Sequence, residues 1–344
     1  MLGELHYNII KKYIIGERKK MTLECILSKL GDCNEAQILG GAHPSITKIT
    51  EESFYVQPNY EEIYCSKRQA RFIIFSAPGA CGKSALAKYL AYKYKGLYWD
   101  LAKIALGENS FHGTLWRAMQ QDKLYQYFND LKTGKSTLIL DAFDEAEMIS
   151  GRTGIEFFLK DLSESTESSM YPTVLLFART ESATFIAEFC KKNSIEYAQY
   201  EIGFFEEYNA KEFIRKKLET MNKSITQTVN SCIDEQFVVI NRLLGNADVA
   251  KSFLVYAPVL EALVQSFDEE RNTLKYLLER EHGKVCNGLK EKWGKEYPEF
   301  NNWDIVYSVE EQMVRIVEYI ILGTIDECSF YSLEKLPVEL YSDY

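Results

Sequence analysis

The sequence predicts an α/β fold: a mainly parallel sheet flanked by helices, followed by a helical domain. Three observations carry the prediction. Short continuous apolar runs alternate with helical stretches from Arg71 to Ile202. The first run leads into a loop of small residues ending Gly82-Lys83-Ser84. A later run ends in acids, at Asp141, Asp144 and Glu145.

Residues 1–50 read as a short helical N-terminal region. Its basic stretch, Lys11-Lys12 and Arg18-Lys19-Lys20, fits a solvated helix face. Gly40-Gly41-Ala42-His43-Pro44 reads as a turn or linker. Residues 51–205 form the core. Phe72-Ile73-Ile74-Phe75 is a buried-strand candidate, and Ser84 to Lys95 a helix. Leu97-Tyr98-Trp99-Asp100 is a second strand. Leu138-Ile139-Leu140 and Val174-Leu175-Leu176-Phe177 are unbroken apolar runs, as strands covered on both faces require. A helix from about Ser182 leads to a weaker strand ending at Ile202. Strand and helix in alternation imply right-handed crossovers and parallel pairing. Past Glu206 helices dominate, with Phe213, Ile214 and Leu218, and Leu274, Leu277 and Leu278, at helical spacing. Residues 206–283 are therefore read as a helical lid domain. Residues 284–344, acidic and aromatic, are read as a partial winged-helix or sensor-like region.

Composition narrows the classes. The 344 residues are 46% hydrophobic and 26% charged, which excludes wholesale disorder. A net charge of -10 argues against a polycation that coats nucleic acid or acidic membrane. The N-terminus lacks the apolar run of a secretory signal, and Tyr319-Ile320-Ile321-Leu322 is too short to span a bilayer. The eight cysteines are scattered, with no C-x-x-C pair and no histidine at metal-ligand spacing. They read as reduced thiols, and the expected location is the cytoplasm. The four histidines (6, 43, 112, 282) lie apart in sequence and propose no triad.

The loop after the first strand carries the chemistry. Ala77-Pro78-Gly79-Ala80-Cys81-Gly82-Lys83-Ser84, with Ala85 in the helix behind it, fits a phosphate-binding loop with Ala in place of the first Gly. Small residues let backbone N–H groups wrap phosphates, and a helix N-terminus adds unpaired donors and positive dipole. Lys83 is placed to reach the β- and γ-phosphates, and Ser84 to ligate Mg²⁺. About 60 residues on, Leu138-Ile139-Leu140-Asp141 supplies the carboxylate that holds Mg²⁺ through its water shell. Asp144 and Glu145 follow at the carboxyl end of the strand, where ligands bind in open α/β sheets. Glu145 is the better candidate to polarise a water for attack on the γ-phosphate. A third strand end, Ala178-Arg179-Thr180, puts a guanidinium where it can sense γ-phosphate charge, and makes Arg179 the sensor candidate.

Together these strand ends resemble the NACHT-type signal-transducing NTPases of the STAND class, within the additional-strand P-loop ATPases. The resemblance covers about residues 50–270. It includes Glu201-Ile202-Gly203-Phe204-Phe205-Glu206-Glu207, similar to the family's strand-to-helix junction. It also includes Ala257-Pro258-Val259-Leu260, similar to a proline motif that packs on the adenine side in that family, which makes Pro258 a binding candidate. The departures are Ala77 for Gly, Ala142 where Gly is common, and A-R-T at the third strand end. The resemblance implies a regulated ATP/ADP switch that hydrolyses slowly, uses Mg²⁺ and forms homo-oligomers, or signals through a partner supplying an effector or sensor. An antiviral-defence role is implied by the same analogy.

Two other readings stand beside it: a P-loop small-molecule or nucleotide kinase, and a non-enzymatic scaffold holding ADP. A kinase lid wants clustered arginines, whereas Arg215, Arg242, Arg271 and Arg280 are dispersed. GTP is disfavoured because Asn222-Lys223-Ser224-Ile225 fails the base-reading motif at its last position. With the core and lid assigned, the flanks are too short for a separate effector enzyme or a repeat sensor. The chain is thus expected to be a minimal switch or the N-terminal part of a longer one.

Overall fold

The computed structural model describes residues 19–28, 30, 43–51, 54–66, 68–79, 81–119, 121–167, 169, 172–244, 257–265, 267–268 and 273–274. Its backbone divides into two units. Most of the chain up to Gly203 makes the first, while Val56–Pro58, Gly79–Cys81 and the chain from Phe204 make the second. The expectations for Lys11, Lys12, Arg18, Ala80 and residues 284–344 lie outside the described residues.

The first unit is built on an eight-stranded sheet. Its strands are β1 (Lys20–Met21), β2 (Ile46–Thr47), β3 (Tyr60–Cys65), β4 (Phe72–Ser76), β5 (Leu97–Asp100), β6 (Leu138–Asp141), β7 (Val174–Ala178) and β8 (Tyr197–Ile202). Their spatial order is β1-β3-β8-β4-β7-β6-β5-β2. The five inner strands, β8 to β5, pair in parallel. Antiparallel β1 and β3 extend one edge, and β2 the other. Strand β7 thus separates β4, which feeds the small-residue loop, from β6, which ends in Asp141.

Parallel pairing needs crossovers, and the helices supply them. They are α1 (Leu23–Leu27), α2 (Lys83–Lys93), α3 (Ser110–Ala118), α4 (Gln121–Lys132), α5 (Phe143–Ser165) and α6 (Thr180–Lys192). Side chains alternate across a strand, so the unbroken apolar runs need cover on both faces. On one face Phe72, Ile74, Leu97, Trp99, Leu138, Leu140, Val174 and Leu176 form a single core with α3 to α6. Trp99 stacks on Phe111 and meets Phe158 edge-on there. The alternate residues Ile73, Phe75, Ile139, Leu175 and Phe177 are equally buried, and α2 lies against β5, β6 and β7.

The described N-terminal residues correct one expectation. Beside the five-residue helix α1, whose Thr22 hydroxyl accepts from Cys25 N at 3.3 Å, they hold two short strands. Two-residue strands are too short to show a period. β3 escapes sequence reading for another reason: Glu61 and Glu62 break its apolar pattern, and its register shifts between Glu62 and Tyr64. The pairing is set by β8, not by local alternation.

The second unit packs α7 (Glu207–Thr220), α8 (Gln227–Leu244) and α9 (Ala257–Gln265), with a hairpin of β9 (Phe267–Asp268) and β10 (Thr273–Leu274). Ala210, Phe213, Ile214 and Leu218 are buried, as are Val229, Ile233 and Phe237 of α8 and Leu260 of α9. Lys211 joins α7 to α8, reaching Asp234 at 3.0 Å as well as Glu207 at 2.8 Å, while Lys217 reaches Glu261 of α9 at 3.5 Å. Asn209 Nδ2 donates to the Gln57 carbonyl at 3.0 Å, tying the Val56–Pro58 segment into this unit.

Two glycines in helices have opposite reasons to be there. A Cβ on Gly154 of α5 meets the Leu106 carbonyl oxygen at 2.5 Å, whereas one on Gly113 of α3 meets nothing within 4 Å. Gly154→Ala is expected to cost about 1–3 kcal/mol through overpacking. Gly113→Ala is expected to gain about 0.5–1 kcal/mol from helix propensity. Urea unfolding of the two single variants checks both signs.

Candidate functional site

The site grows from the carboxyl ends of β4, β6 and β7. After β4, Ala77 is fully buried, and its N–H donates to the Ala178 carbonyl at 3.3 Å. The chain then turns through Pro78 and reaches Gly82, which caps α2 with φ +80° and ψ 16°. A Cβ there has open space, so what demands glycine is the left-handed backbone and not crowding. Helix α2 begins at once, with Leu86 N bonded to the Gly82 carbonyl at 2.9 Å. The N–H groups of its first turn have no helical acceptor. Gly79 and Cys81 belong to the second unit, where the Cys81 thiol donates to the Gly79 carbonyl at 3.5 Å. Lys83 folds its ammonium back onto the loop, donating to the Ala77 and Pro78 carbonyls at 3.1 and 2.9 Å. An ammonium so placed stands at the loop that an anion would enter.

Strand β6 ends in the most constrained group of the site. Asp141 is only 2% exposed. Its Oδ1 accepts from Ala142 N at 2.9 Å, its Oδ2 accepts from the Tyr98 hydroxyl at 2.8 Å, and the nearby Ser84 hydroxyl favours its charged form. Burial outweighs these donors and raises its carboxyl above the ordinary value. The same burial, reinforced by the Asp141 charge, holds the Tyr98 phenol protonated far above its usual range. Ala142 turns its N–H back to Asp141 by taking φ +61° and ψ 44°, and the next residue starts α5. A left-handed alanine costs about 1–2 kcal/mol.

The two acids that follow separate in role. Asp144 is paired: Arg179 Nε donates to its Oδ2 at 2.9 Å and Arg179 N to its Oδ1 at 3.2 Å. Arg179 precedes α6, so this pair links the ends of β6 and β7. Glu145 is solvent-reachable, yet desolvation by the strand ends and the Asp144 charge raise its carboxyl. Two residues on, Glu147 accepts from Ser182 Oγ at 2.5 Å and from Arg152 Nε at 3.1 Å. Helix α5 breaks at Gly151, whose φ of 67° and ψ of 166° are glycine territory.

The structure thus brings Lys83, Ser84, Asp141, Asp144, Glu145 and Arg179 to the loop-bearing end of the sheet. Ala85 lies in the first turn of α2, and Pro258 is the second residue of α9 in the other unit. Sequence reasoning missed Tyr98, because no motif links residues 98 and 141 and only the β5–β6 register brings them together. The donor set fits a magnesium-bound nucleoside triphosphate. A hydroxyl beside a buried carboxylate is the kind of oxygen pair that a hard divalent cation takes, with waters completing its shell.

One histidine has neighbours the sequence did not suggest. His112 Nε2 lies 3.0 Å from Ser165 Oγ, and Nδ1 lies 4.0 Å from Asp161 Oδ2. The second distance is not a hydrogen bond. Ser165 ends a helix, where carbonyls and not N–H donors are unpaired, so no oxyanion site accompanies it.

Ala142→Gly is expected to raise stability by about 0.5–1 kcal/mol, the left-handed strain relieved less the extra backbone entropy of glycine. Chemical denaturation of the nucleotide-free protein measures this.

No family model matches the chain, and no curated protein does. Among solved structures it is similar to the RuvB Holliday junction branch migration motor of Thermotoga maritima, at 12% identity and a TM-score of 0.32, over 64% of this chain and 61% of that one. The chain therefore spans about three fifths of that motor's length. It is also similar to the FIGL-1 AAA domain in complex with ADP, at 13% identity and a TM-score of 0.35, over 78% of each chain. A third is the Walker-type ATPase paby2304 of Pyrococcus abyssi, at 16% identity and a TM-score of 0.37, over 80% of this chain and 85% of that one. At such values the fold rests on the strand order and the loop described above, not on these likenesses.

Proposed function

We propose that the chain is an ATP-binding switch that hydrolyses ATP slowly and passes its nucleotide state to a second copy of itself or to a partner protein. The observation that carries the reading is the placement of the Ser84 hydroxyl beside the Asp141 carboxylate, where it favours the charged form. It joins the residue after the loop lysine to the acid at the end of a strand two places away across β7. A glycine turn before a helix has no need of such a partner, whereas a site for a cation bridging two phosphates does.

The geometry supports a role for each residue. The N–H groups at the start of α2 bind phosphate oxygens, and Lys83 exchanges its loop carbonyls for them. Ser84 and Asp141 hold the magnesium ion, which supplies charge neutralisation on the phosphates when bound. Glu145, its carboxyl raised above its ordinary value by burial and the Asp144 charge, accepts the proton of a water whose oxygen bonds to the γ-phosphorus as ADP leaves. Asp144 holds Arg179, and that pair keeps the β7 end in register with the β6 end. Arg179 is then a sensor only if phosphate draws it from Asp144. The switch behaviour, self-assembly and a role in antiviral defence come from the resemblance to NACHT-type STAND NTPases and are proposed on that ground. The cytoplasm is the proposed location; among the described residues no helix is long and apolar enough to cross a membrane.

Extraction of nucleotide from the purified protein and its chromatography test the reading, with mass in solution measured in ATP and in ADP. Adenine nucleotide is expected in the extract, with a larger mass in ATP. Lys83→Ala is expected to lower ATP affinity at least 100-fold, an order of magnitude appropriate to lost charge-assisted contacts. Glu145→Gln is expected to keep ATP bound and stop turnover. A protein that neither carries nor binds adenine nucleotide at millimolar concentration sinks the proposal.

A further inference from the structure

Tyr98 and Asp141 are 43 residues apart in sequence and meet through one hydrogen bond of 2.8 Å between buried groups. In the parallel register of β5 and β6, Tyr98 stands opposite Ile139 and Asp100 opposite Asp141. The tyrosine therefore reaches forward over two residues of strand, about 6.5 Å of rise. A serine or threonine at this position could not cover that span. The ring is held from its other side as well. Lys88 lies one turn beyond Ser84 on α2, and its ammonium sits 6.0 Å from the Tyr98 ring centroid.

An aspartate's terminal torsion is broad, so a strand position alone does not fix the plane of its carboxylate. Ala142 N pins Oδ1 and the Tyr98 hydroxyl pins Oδ2. With both oxygens held, the face offered to Ser84 is set before any ligand arrives. We propose that Tyr98 is a positioning residue, which orients the Asp141 carboxylate for the divalent cation that accompanies the nucleotide. The proposal rests on the reading of Ser84 and Asp141 given above. Tyr98 touches neither nucleotide nor cation, and it acts through the rotation of Asp141. Outer partners of this kind typically change metal affinity about 10–100-fold.

The test is Tyr98→Phe, which keeps the buried ring and removes the one hydroxyl. Ile139→Val is the companion, a loss of packing opposite Tyr98 that leaves the Asp141 hydrogen bonds intact. ATP binding is measured by calorimetry in EDTA and across a titration of free Mg²⁺, and bound Mn²⁺ is followed by electron paramagnetic resonance. In EDTA, Tyr98→Phe is expected to bind ATP within about twofold of wild type, because the phosphate loop is untouched. Its Mg²⁺ midpoint is expected to rise about 10-fold, with a matching change in the Mn²⁺ spectrum. Ile139→Val is expected to lower the melting temperature and leave the midpoint where it was. An unchanged midpoint in Tyr98→Phe overturns the proposal, and so does an equal rise in Ile139→Val, which would make the effect one of packing. Wild-type protein whose ATP binding ignores Mg²⁺ overturns the underlying assignment of Ser84 and Asp141, an outcome visible before either variant is made.

Discussion

A buried carboxylate at the end of a central strand is the constraint on which the site depends. Asp141 is almost wholly withdrawn from water, and a charge so placed is costly unless donors surround it. Each donor comes from a different part of the fold. Tyr98 comes from the neighbouring strand, Ser84 from the helix after the loop, and Ala142 from a backbone bent into an unfavourable conformation. Even so the carboxyl remains raised, because burial outweighs the donors around it. The left-handed backbone at Ala142 adds its own cost at the same strand end.

The next acids extend this logic sideways. Asp144 and Glu147 are tied to Arg179 and Ser182 respectively. The start of α5 is thereby fastened to the start of α6, and the ends of β6 and β7 are held in step. Glu145 lies between these two ties with its carboxyl raised by burial and then by the Asp144 charge. Three acids within four residues thus end in different states because of what each one faces, although their residue types alone are nearly interchangeable.

The parallel core was legible because burial on both faces imposes unbroken apolar runs, and Phe72–Phe75, Leu97–Asp100, Leu138–Leu140 and Val174–Phe177 all fall inside the observed strands. The phosphate-loop signature was legible because its chemistry requires fixed spacing. The edge strands were not. β1 and β2 are two residues long, and β3 carries glutamates that only pairing with β8 makes sense of. In the site, the acids could be named but not told apart, since the Asp144–Arg179 pair crosses from one strand end to another. Tyr98 left no trace at all, because its partner is fixed by strand register.

The break at Gly151 gives α5 a mechanical property that its length alone conceals. An unbroken helix of 23 residues would be a rod about 34 Å long. Any tilt at its acidic end would be magnified at the far end, where Phe158, Leu159 and Leu162 sit in the main core. Interrupted at Gly151, it becomes two short rods on a pivot. Both rods are seated in one core, Phe143 and Ala146 from the first and Phe158, Leu159 and Leu162 from the second. The turn that carries Asp144 and Glu145 is thus anchored by the same packing that holds the far end of the helix.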